Sequence, residues 1–235
     1  MSNSKGLADT QPSSPWTGGV YVAPAGRSHA EAEVDRVLRK KAAQRFLLWV
    51  DAVGGFLVCL RDEILLGQAV PQAGVDVPIL GDLSRRHAKI RREGESYVIE
   101  PIGRVEIGGR KIRGEALLGD GDEIHLGDSV RLRFRRPHAL SATARLDLVS
   151  RHPAQPAADA ILLMAQSCIL GPRPQSHVIC RQWTHEVALF RQDGQIYCKA
   201  AQPIEIDGKL CTGRGTMITN SRVAGSDFAL SLEEL

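Results

Sequence analysis

The chain has 235 residues, of which 43% are hydrophobic and 24% are charged, and its formal net charge is +3. This composition is typical of a soluble chain with one or two domains, and so small a charge does not by itself indicate nucleic-acid binding. No run of apolar residues is long enough to span a membrane, and residues 1–6 lack the charged start and apolar core of a secretory signal. We therefore expect a cytoplasmic protein with no membrane partner.

Five cysteines are scattered along the chain without a Cys-x-x-Cys pair: Cys59, Cys168, Cys180, Cys198 and Cys211. Their odd number and wide spacing favour reduced, mostly buried thiols over a disulfide framework. His177 and His185 lie near Cys180, but this spacing is not that of a zinc site. We predict neither a metal nor a cofactor.

The first 44 residues are predicted to stand apart from the folded core. Residues 1–27 are rich in Ser, Pro, Gly and Ala and bury too little apolar surface to fold alone, which predicts a disordered tail. Ser28 and Glu31 form a capping-box pattern, and Val34, Val37 and Leu38 follow at helical spacing. A short amphipathic helix is therefore predicted over 28–44.

Short strands separated by turn residues follow over 45–137. Two apolar runs, Phe46 to Val50 and Phe56 to Leu60, flank a Gly-Gly turn, and later strands alternate apolar and charged residues, as in Ala88 to Arg92. This spacing is typical of an all-β sandwich. The polar sequence Ser84-Arg85-Arg86-His87 directly precedes Ala88, so we expect it at the edge of a sheet.

Three motifs in this region resemble a forkhead-associated (FHA) domain: Gly67 at a strand end, Ser84-Arg85-x-His87, and Gly121-Asp122-x-Ile124-x-Leu126-Gly127. The resemblance covers roughly residues 46 to 136. It implies a β-sandwich whose apical loops bind phosphothreonine peptides. It further implies that Ser84 and Arg85 contact the phosphate, beside Gly67 and Gln68, while His87 supports the loop from within.

The sequence departs from the family pattern at two places. An Arg usually follows the first Gly, but here Gln68 offers an uncharged amide, which predicts weaker phosphate binding. The family's Asn-Gly loop is replaced by the shorter Pro101-Ile102-Gly103-Arg104. Arg104 either restores part of the lost contacts or is an exposed loop arginine.

The remaining chain is predicted to be a linker, 138–158, and a degenerate second FHA-like module, 159–235. His185 follows His87 by 98 residues, Gly208 follows Gly109 by 99, and Gly171 follows Gly67 by 104. At the offset of 98, Gln182, Trp183 and Thr184 replace Ser84, Arg85 and Arg86, so only His185 would remain, as scaffold. The predicted fold is thus all-β, with two tandem FHA-type sandwiches behind the tail and helix.

Other functional classes find less support. Arg131, Arg133 and Arg135 alternate along one strand face and could meet nucleic-acid phosphates, but without stacking aromatics a solvated sheet face is favoured. No Gly-x-Ser-x-Gly, His-Glu-x-x-His or Walker motif is present, which argues against an enzyme. Ser84 and His87 are explained by the family motif rather than by a nucleophile and its base.

The resemblance implies a non-enzymatic adaptor in serine/threonine kinase signalling. Its first module would bind a phosphothreonine-containing partner protein, and a serine/threonine kinase is one candidate partner. The alternative is a phosphate-independent interaction scaffold in which both modules have lost phosphopeptide binding. Substitution of Ser84 or Arg85 separates the two hypotheses.

Overall fold

The computed structural model describes residues 44–138 and 140–235. These residues form 22 β-strands and no helix, which confirms the predicted all-β class. The predicted tail at 1–27 and nearly all of the predicted helix at 28–44 lie outside the described residues. No helix that could cross a membrane is found in the described part of the chain.

The strands fall into two successive sets of eleven. The first set is β1 (Arg45–Val50), β2 (Gly54–Cys59), β3 (Glu63–Gln68), β4 (Val77–Ile79), β5 (Ala88–Glu93), β6 (Ser96–Pro101), β7 (Val105–Ile107), β8 (Arg110–Lys111), β9 (Ala116–Leu118), β10 (Glu123–Leu126) and β11 (Val130–Arg135). The second set is β12 (Ala144–Leu148), β13 (Ala160–Leu163), β14 (Ser167–Gly171), β15 (Val178–Ile179), β16 (Val187–Gln192), β17 (Gln195–Ala200), β18 (Ile204–Ile206), β19 (Lys209–Cys211), β20 (Arg214–Met217), β21 (Arg222–Ala224) and β22 (Ala229–Glu234).

Three sheets are built from these strands. The central sheet has twelve strands in the order β19-β18-β21-β22-β1-β2-β13-β12-β11-β10-β7-β8. A first cover sheet has the order β4-β3-β5-β6-β9, and a second cover sheet has the order β15-β14-β16-β17-β20. The two cover sheets repeat one another strand for strand, eleven strands apart in the chain.

The central strands pack against both cover sheets at once. In β2, Leu57 and Cys59 belong to the apolar core under the first cover sheet, whereas Phe56 and Val58 belong to the core under the second. β1 and β13 divide their side chains between the cores in the same way. Because successive side chains point to opposite faces of a strand, the two cover sheets lie on opposite faces of the central sheet.

The first two strands of each set are exchanged between the halves. β1 pairs with β22 at the far end of the chain, with Leu48 opposite Leu232, and β12 pairs with β11, with Leu146 opposite Phe134. β2 and β13 meet in parallel at the centre of the sheet. We call β3 to β13 the first sandwich, and β14 to β22 together with β1 and β2 the second sandwich.

The segment predicted to be a linker over 138–158 takes part in the fold. Its residues 144–148 form β12, whose Ala144 and Leu146 are buried in the first core. Further along, Pro153 O accepts a hydrogen bond from Leu80 N at 2.9 Å, and Gln155 N donates to Pro78 O at 2.9 Å. The segment alternates apolar and charged residues, Ala-Arg-Leu-Asp-Leu, which is the pattern of a half-buried strand.

The strand registers correct the predicted alignment of the two halves at the motif. Ala88 pairs with Leu66 as Val187 pairs with Leu170, so the offset there is 99 rather than 98. The counterparts of Ser84 and His87 are therefore Trp183 and Glu186. The prediction that His185 corresponds to His87 was wrong, because the connection 172–186 is five residues shorter than 68–87 and changes the offset from 104 at Gly67 to 99 at Ala88. His185 is exposed, whereas His87 is buried.

Candidate phosphopeptide-binding site

The Ser84 loop, residues 80–87, is tied by its backbone to the end of β3. His87 N donates to Leu66 O at 2.8 Å, and Gln68 N donates to Ser84 O at 3.0 Å. A Cβ atom at Gly67 would lie 2.0 Å from Arg85 O, so any side chain at 67 would push the two segments apart. The glycine at this strand end is required by close approach of the loop.

His87 holds the Ser84 loop against the neighbouring loop 102–104. Its ring is 3% exposed; Nδ1 accepts a hydrogen bond from Ser84 N at 3.1 Å, and Nε2 lies 2.8 Å from Arg104 O. A backbone N–H at Nδ1 and a carbonyl at Nε2 require the neutral tautomer with the proton on Nε2. The backbone of His87 also accepts hydrogen bonds from Ile102 N and Gly103 N. Both loops are thus fixed by one buried side chain.

Three side chains of the loop are exposed: Ser84, Arg85 and Arg86. Across the described residues, the Ser84 hydroxyl has no hydrogen-bond partner, and no carboxylate lies within 4.0 Å of either guanidinium. The Ser84 hydroxyl therefore does not cap its own loop. One hydroxyl and two cationic groups remain available on a rigid backbone, which suits an anionic ligand. Arg86 was not among the predicted contacts.

Gln68 lies beside this loop at the end of β3 and is half-buried. Its backbone is engaged by Ser84, but its side-chain amide has no hydrogen-bond partner among residues 44–138 and 140–235. The amide can donate to a ligand without adding charge. The structure thus brings Gly67, Gln68, Ser84 and Arg85 to one strand end, as the motif pattern predicts.

Arg104 is placed near the loop by its backbone, but its guanidinium is occupied. It contacts Asp128 Oδ1 at 2.7 Å and Glu106 Oε1 at 2.9 Å, and the hydrogen bond to Glu106 raises the pKa of Arg104 above its ordinary value. Exposed pairs of this kind are weak and can be exchanged for a stronger anion. Sequence reasoning missed Asp128, although it directly follows Gly127 of the third motif.

The corresponding loop of the second sandwich is closed. Trp183, the counterpart of Ser84, is buried and packs on Phe228 with ring centroids 4.9 Å apart. Thr184, the counterpart of Arg85, donates through both its backbone N and its hydroxyl to Asp227 Oδ2 at 2.6 Å. Pro172 follows Gly171 and has no N–H to donate. The counterparts of Ser84 and Arg85 are therefore a buried aromatic ring and a satisfied hydroxyl, and neither offers a free donor.

The positive charge of the arginine strand is partly offset by two neighbouring carboxylates, those of Glu123 and Asp120. Arg131 and Arg133 lie 3.9 and 3.7 Å from Glu123, and Arg135 lies 3.5 Å from Asp120. Paired charges on a sheet face bind phosphates poorly, because the carboxylates already offset the positive potential. The arginine face is therefore a solvated, ion-paired surface.

Four of the five cysteines are buried, and burial raises the pKa of Cys59, Cys168, Cys180 and Cys198 to about 12. Such thiols are protonated at neutral pH and are poor nucleophiles. No group of three or more His, Cys, Asp or Glu side chains placed to hold a metal occurs in the part of the chain that the structure describes.

Comparison with known proteins places this region in a family. The sequence model of the FHA domain matches residues 64–127. The FHA domain of the CT664 protein from Chlamydia trachomatis is 34% identical, over 35% of this chain and 89% of that one, with a TM-score of 0.27. Comparison with curated proteins gives no match.

Two further solved structures are similar to part of the chain. One is EmbR from Mycobacterium tuberculosis, solved with a low-affinity phosphopeptide: 25% identity, 45% of this chain and 29% of that one, TM-score 0.30. The other comes from a study of phosphothreonine-dependent FHA domain interactions: 27% identity, 35% of this chain and 88% of that one, TM-score 0.27. The matched sequence model shows that the chain contains an FHA domain, which lies in its first sandwich.

Proposed function

We propose that this protein is a non-enzymatic adaptor that binds phosphothreonine-containing segments of partner proteins through the Ser84 loop. The observation that carries the proposal is the free state of the Ser84 hydroxyl and the Arg85 guanidinium on a loop fixed by His87. FHA domains are phosphopeptide-recognition modules, and the family model covers this loop. The partner is then a product of a serine/threonine kinase.

The chemistry of the loop fits a phosphate monoester. A phosphothreonine carries about −1.5 to −2 charges at neutral pH and three acceptor oxygens. A guanidinium can donate two parallel hydrogen bonds to such a group, and the hydroxyl adds a third. Because Arg85 is not ion-paired in the described structure, binding requires no prior breaking of a salt bridge.

The affinity should be modest. Gln68 supplies no charge where the family usually has Arg, and Glu106 and Asp128 place two carboxylates around Arg104. These same features favour a second candidate function, a phosphate-independent interaction scaffold. The two functions differ in whether the Ser84 loop contacts the partner through phosphate.

The test is binding of a degenerate phosphothreonine peptide library to the full chain, with the unphosphorylated library alongside. Ser84→Ala and Arg85→Ala should each weaken phosphopeptide binding by about 10- to 100-fold, since hydrogen bonds to charged groups contribute about 1.5–3 kcal/mol. Ser96→Ala and Arg110→Ala are matched controls, because both residues are exposed and lie outside the loop. The controls should bind like the natural chain.

Equal binding of the phosphorylated and unphosphorylated libraries would contradict the adaptor and support the scaffold. An equal loss of binding in the control variants would contradict the assignment of the site, because the effect would then not be specific to the Ser84 loop. A native dispersion of amide resonances in each variant excludes unfolding as the cause.

A further inference from the structure

A short segment of the chain seals one edge of the first cover sheet. Residues 153–155 run antiparallel to β4, with hydrogen bonds from Leu80 N to Pro153 O and from Gln155 N to Pro78 O, both 2.9 Å. Ala154 between them is 2% exposed. The segment therefore acts as an added strand whose small side chain is buried against the sandwich.

Within residues 44–138 and 140–235, the same edge of the second cover sheet has no such strand. β15 is the terminal strand there, and its pairing with β14 matches that of β4 with β3, so Ile179 corresponds to Pro78 and Arg181 to Leu80. The connection between β12 and β13, 149–159, supplies the covering segment in the first sandwich. Its counterpart between β1 and β2 is only 51–53 and is too short to do so.

An open groove of 790 Å³ lies beside β15 as a result. Its lining combines apolar side chains, among them Val53 and Ile179, with polar ones such as Arg181 and Asp227. Ile179 is 40% exposed and Val53 is 36% exposed, so both present apolar surface to the groove. A groove with exposed apolar side chains next to an unpaired strand edge is the arrangement by which sheets accept an extended peptide.

We propose that this groove binds an extended segment of a partner protein, rich in alanine and proline, which adds a strand antiparallel to β15. Residues 153–155 on β4 are the internal template for the ligand. Ile179 O replaces Pro78 O as the acceptor, and Arg181 N replaces Leu80 N as the donor; no partner for the Arg181 N–H is found among the described residues. The peptide's small apolar residue would take the place of Ala154, against the apolar lining.

This binding does not involve phosphate and is independent of the Ser84 loop. The two sites use different cover sheets, and none of the groove residues named above lies in the Ser84 loop. The protein would then hold two partner segments at once, a phosphorylated one on the first sandwich and an alanine- and proline-rich one on the second. Simultaneous engagement of both sites would increase affinity for a partner that carries both segments.

The probe is a synthetic peptide with the sequence of residues 150–158, Ser-Arg-His-Pro-Ala-Gln-Pro-Ala-Ala, added in trans to the isotope-labelled full chain. Saturable amide shifts should occur at 178–183 and at 51–53. A peptide methylated on the Gln155 nitrogen loses the donor to Ile179 O and should bind at least tenfold more weakly. Val53→Arg should block the groove to a similar degree, whereas Val149→Arg, at an exposed site between β12 and β13, should not.

Three results would overturn the proposal. Shifts confined to β4 would mean that the peptide displaces its own parent segment in the first sandwich. Shifts that appear only in a chain beginning at residue 44 would mean that this protein's own first 43 residues fill the groove. No saturable shift at all would show that the groove does not accept this kind of strand. Ser84→Ala should leave the peptide shifts unchanged, so failure here is distinguishable from failure of phosphopeptide binding.

Discussion

The two sandwiches have the same strand order but opposite loop chemistry. In the first, the loop after β4 presents a free hydroxyl and free guanidiniums; in the second, the equivalent loop buries Trp183 on Phe228 and ties Thr184 to Asp227. The strands need only an alternation of apolar side chains, which many sequences satisfy. Loop residues are not constrained in this way, so the binding chemistry can be lost while the sheet persists.

The two sandwiches also differ at the buried residue that precedes the terminal strand of each cover sheet. Asp76 precedes β4 and accepts a hydrogen bond from Leu65 N at 2.8 Å, while His177 precedes β15 and accepts one from Ile169 N at 2.9 Å. Both side chains accept a hydrogen bond from a backbone N–H, but Asp76 does so with a carboxylate and His177 with an imidazole. The halves should therefore respond differently to pH.

The largest expected effect on stability concerns the hairpin β1–β2, which is exchanged between the two halves. Leu48→Ala should destabilise the second sandwich and Leu146→Ala the first, each by about 2–5 kcal/mol, because both side chains are fully buried. Hydrogen exchange followed by mass spectrometry would locate the loss of protection, at 167–200 for Leu48→Ala and at 63–101 for Leu146→Ala. Loss of protection at 63–101 in Leu48→Ala would mean that the hairpin folds with its sequence neighbours.

His177 predicts an effect of similar size under acid conditions. Burial lowers its pKa from 6.5 to about 4, and its Nε2 has no hydrogen-bond partner within the described structure. Below pH 6.5, the His177 imidazole therefore binds a proton in the unfolded chain but not in the folded chain. The free energy of unfolding should fall by up to about 3 kcal/mol between pH 6.5 and pH 4.

Urea unfolding at several pH values measures this slope. His177→Asn keeps an acceptor for Ile169 N but cannot be protonated, so its stability should fall less over the same range. The carboxylates contribute equally in both chains and cancel in the difference. Identical slopes for the variant and the natural chain would rule out His177 as the source.

Gln68→Arg should sharpen the difference between the two loops. A guanidinium at the end of β3, beside Ser84, adds a charge-assisted hydrogen bond to a bound phosphate and should raise phosphopeptide affinity about tenfold. Titration calorimetry with one phosphothreonine peptide from the library measures the affinity of the variant and of the natural chain. Gln182→Arg in the second sandwich is the matched control, and an equal gain there would indicate attraction by net charge alone.

The smallest predicted effect concerns Arg104. Asp128→Asn removes one of its two carboxylate contacts, 2.7 Å away, and lowers the negative charge near the loop. Phosphopeptide affinity should rise a few-fold, because exposed charge pairs contribute about 0–1 kcal/mol. The gain should shrink in high salt. A decrease in affinity would instead show that Asp128 positions the loop.

The strands and the site motif could be predicted from sequence because they depend on local patterns. Alternation along Ala88 to Arg92 predicts a half-buried strand, and Ser84-Arg85-x-His87 identifies the loop before it. The offset between halves could not be assigned at the motif, because the connections before β5 and β16 differ in length by five residues and connection length carries no periodicity. Only the pairing of Val187 with Leu170 assigns the register there.

The hairpin exchange has a signature in the sequence. The runs Phe46 to Val50, Phe56 to Leu60 and Ile161 to Met164 are apolar without alternation, which is typical of strands covered on both faces. A strand of an ordinary two-layer sandwich would alternate apolar and polar residues, because only one of its faces is buried. The apolar runs do not indicate whether β1 pairs with β11 or with β22, so the exchange partner could not be predicted.

The pairing of β1 with β22 also determines when the fold can be completed. Trp49 donates a hydrogen bond to Glu233, 184 residues later in the chain. At about 5–20 residues per second, a ribosome needs about 10–40 s to synthesise that interval. Throughout it, the apolar residues of β1 have no permanent partner on one edge. The nascent chain therefore exposes an aggregation-prone strand for most of its synthesis, and we expect its yield in cells to depend on chaperones that bind short apolar segments.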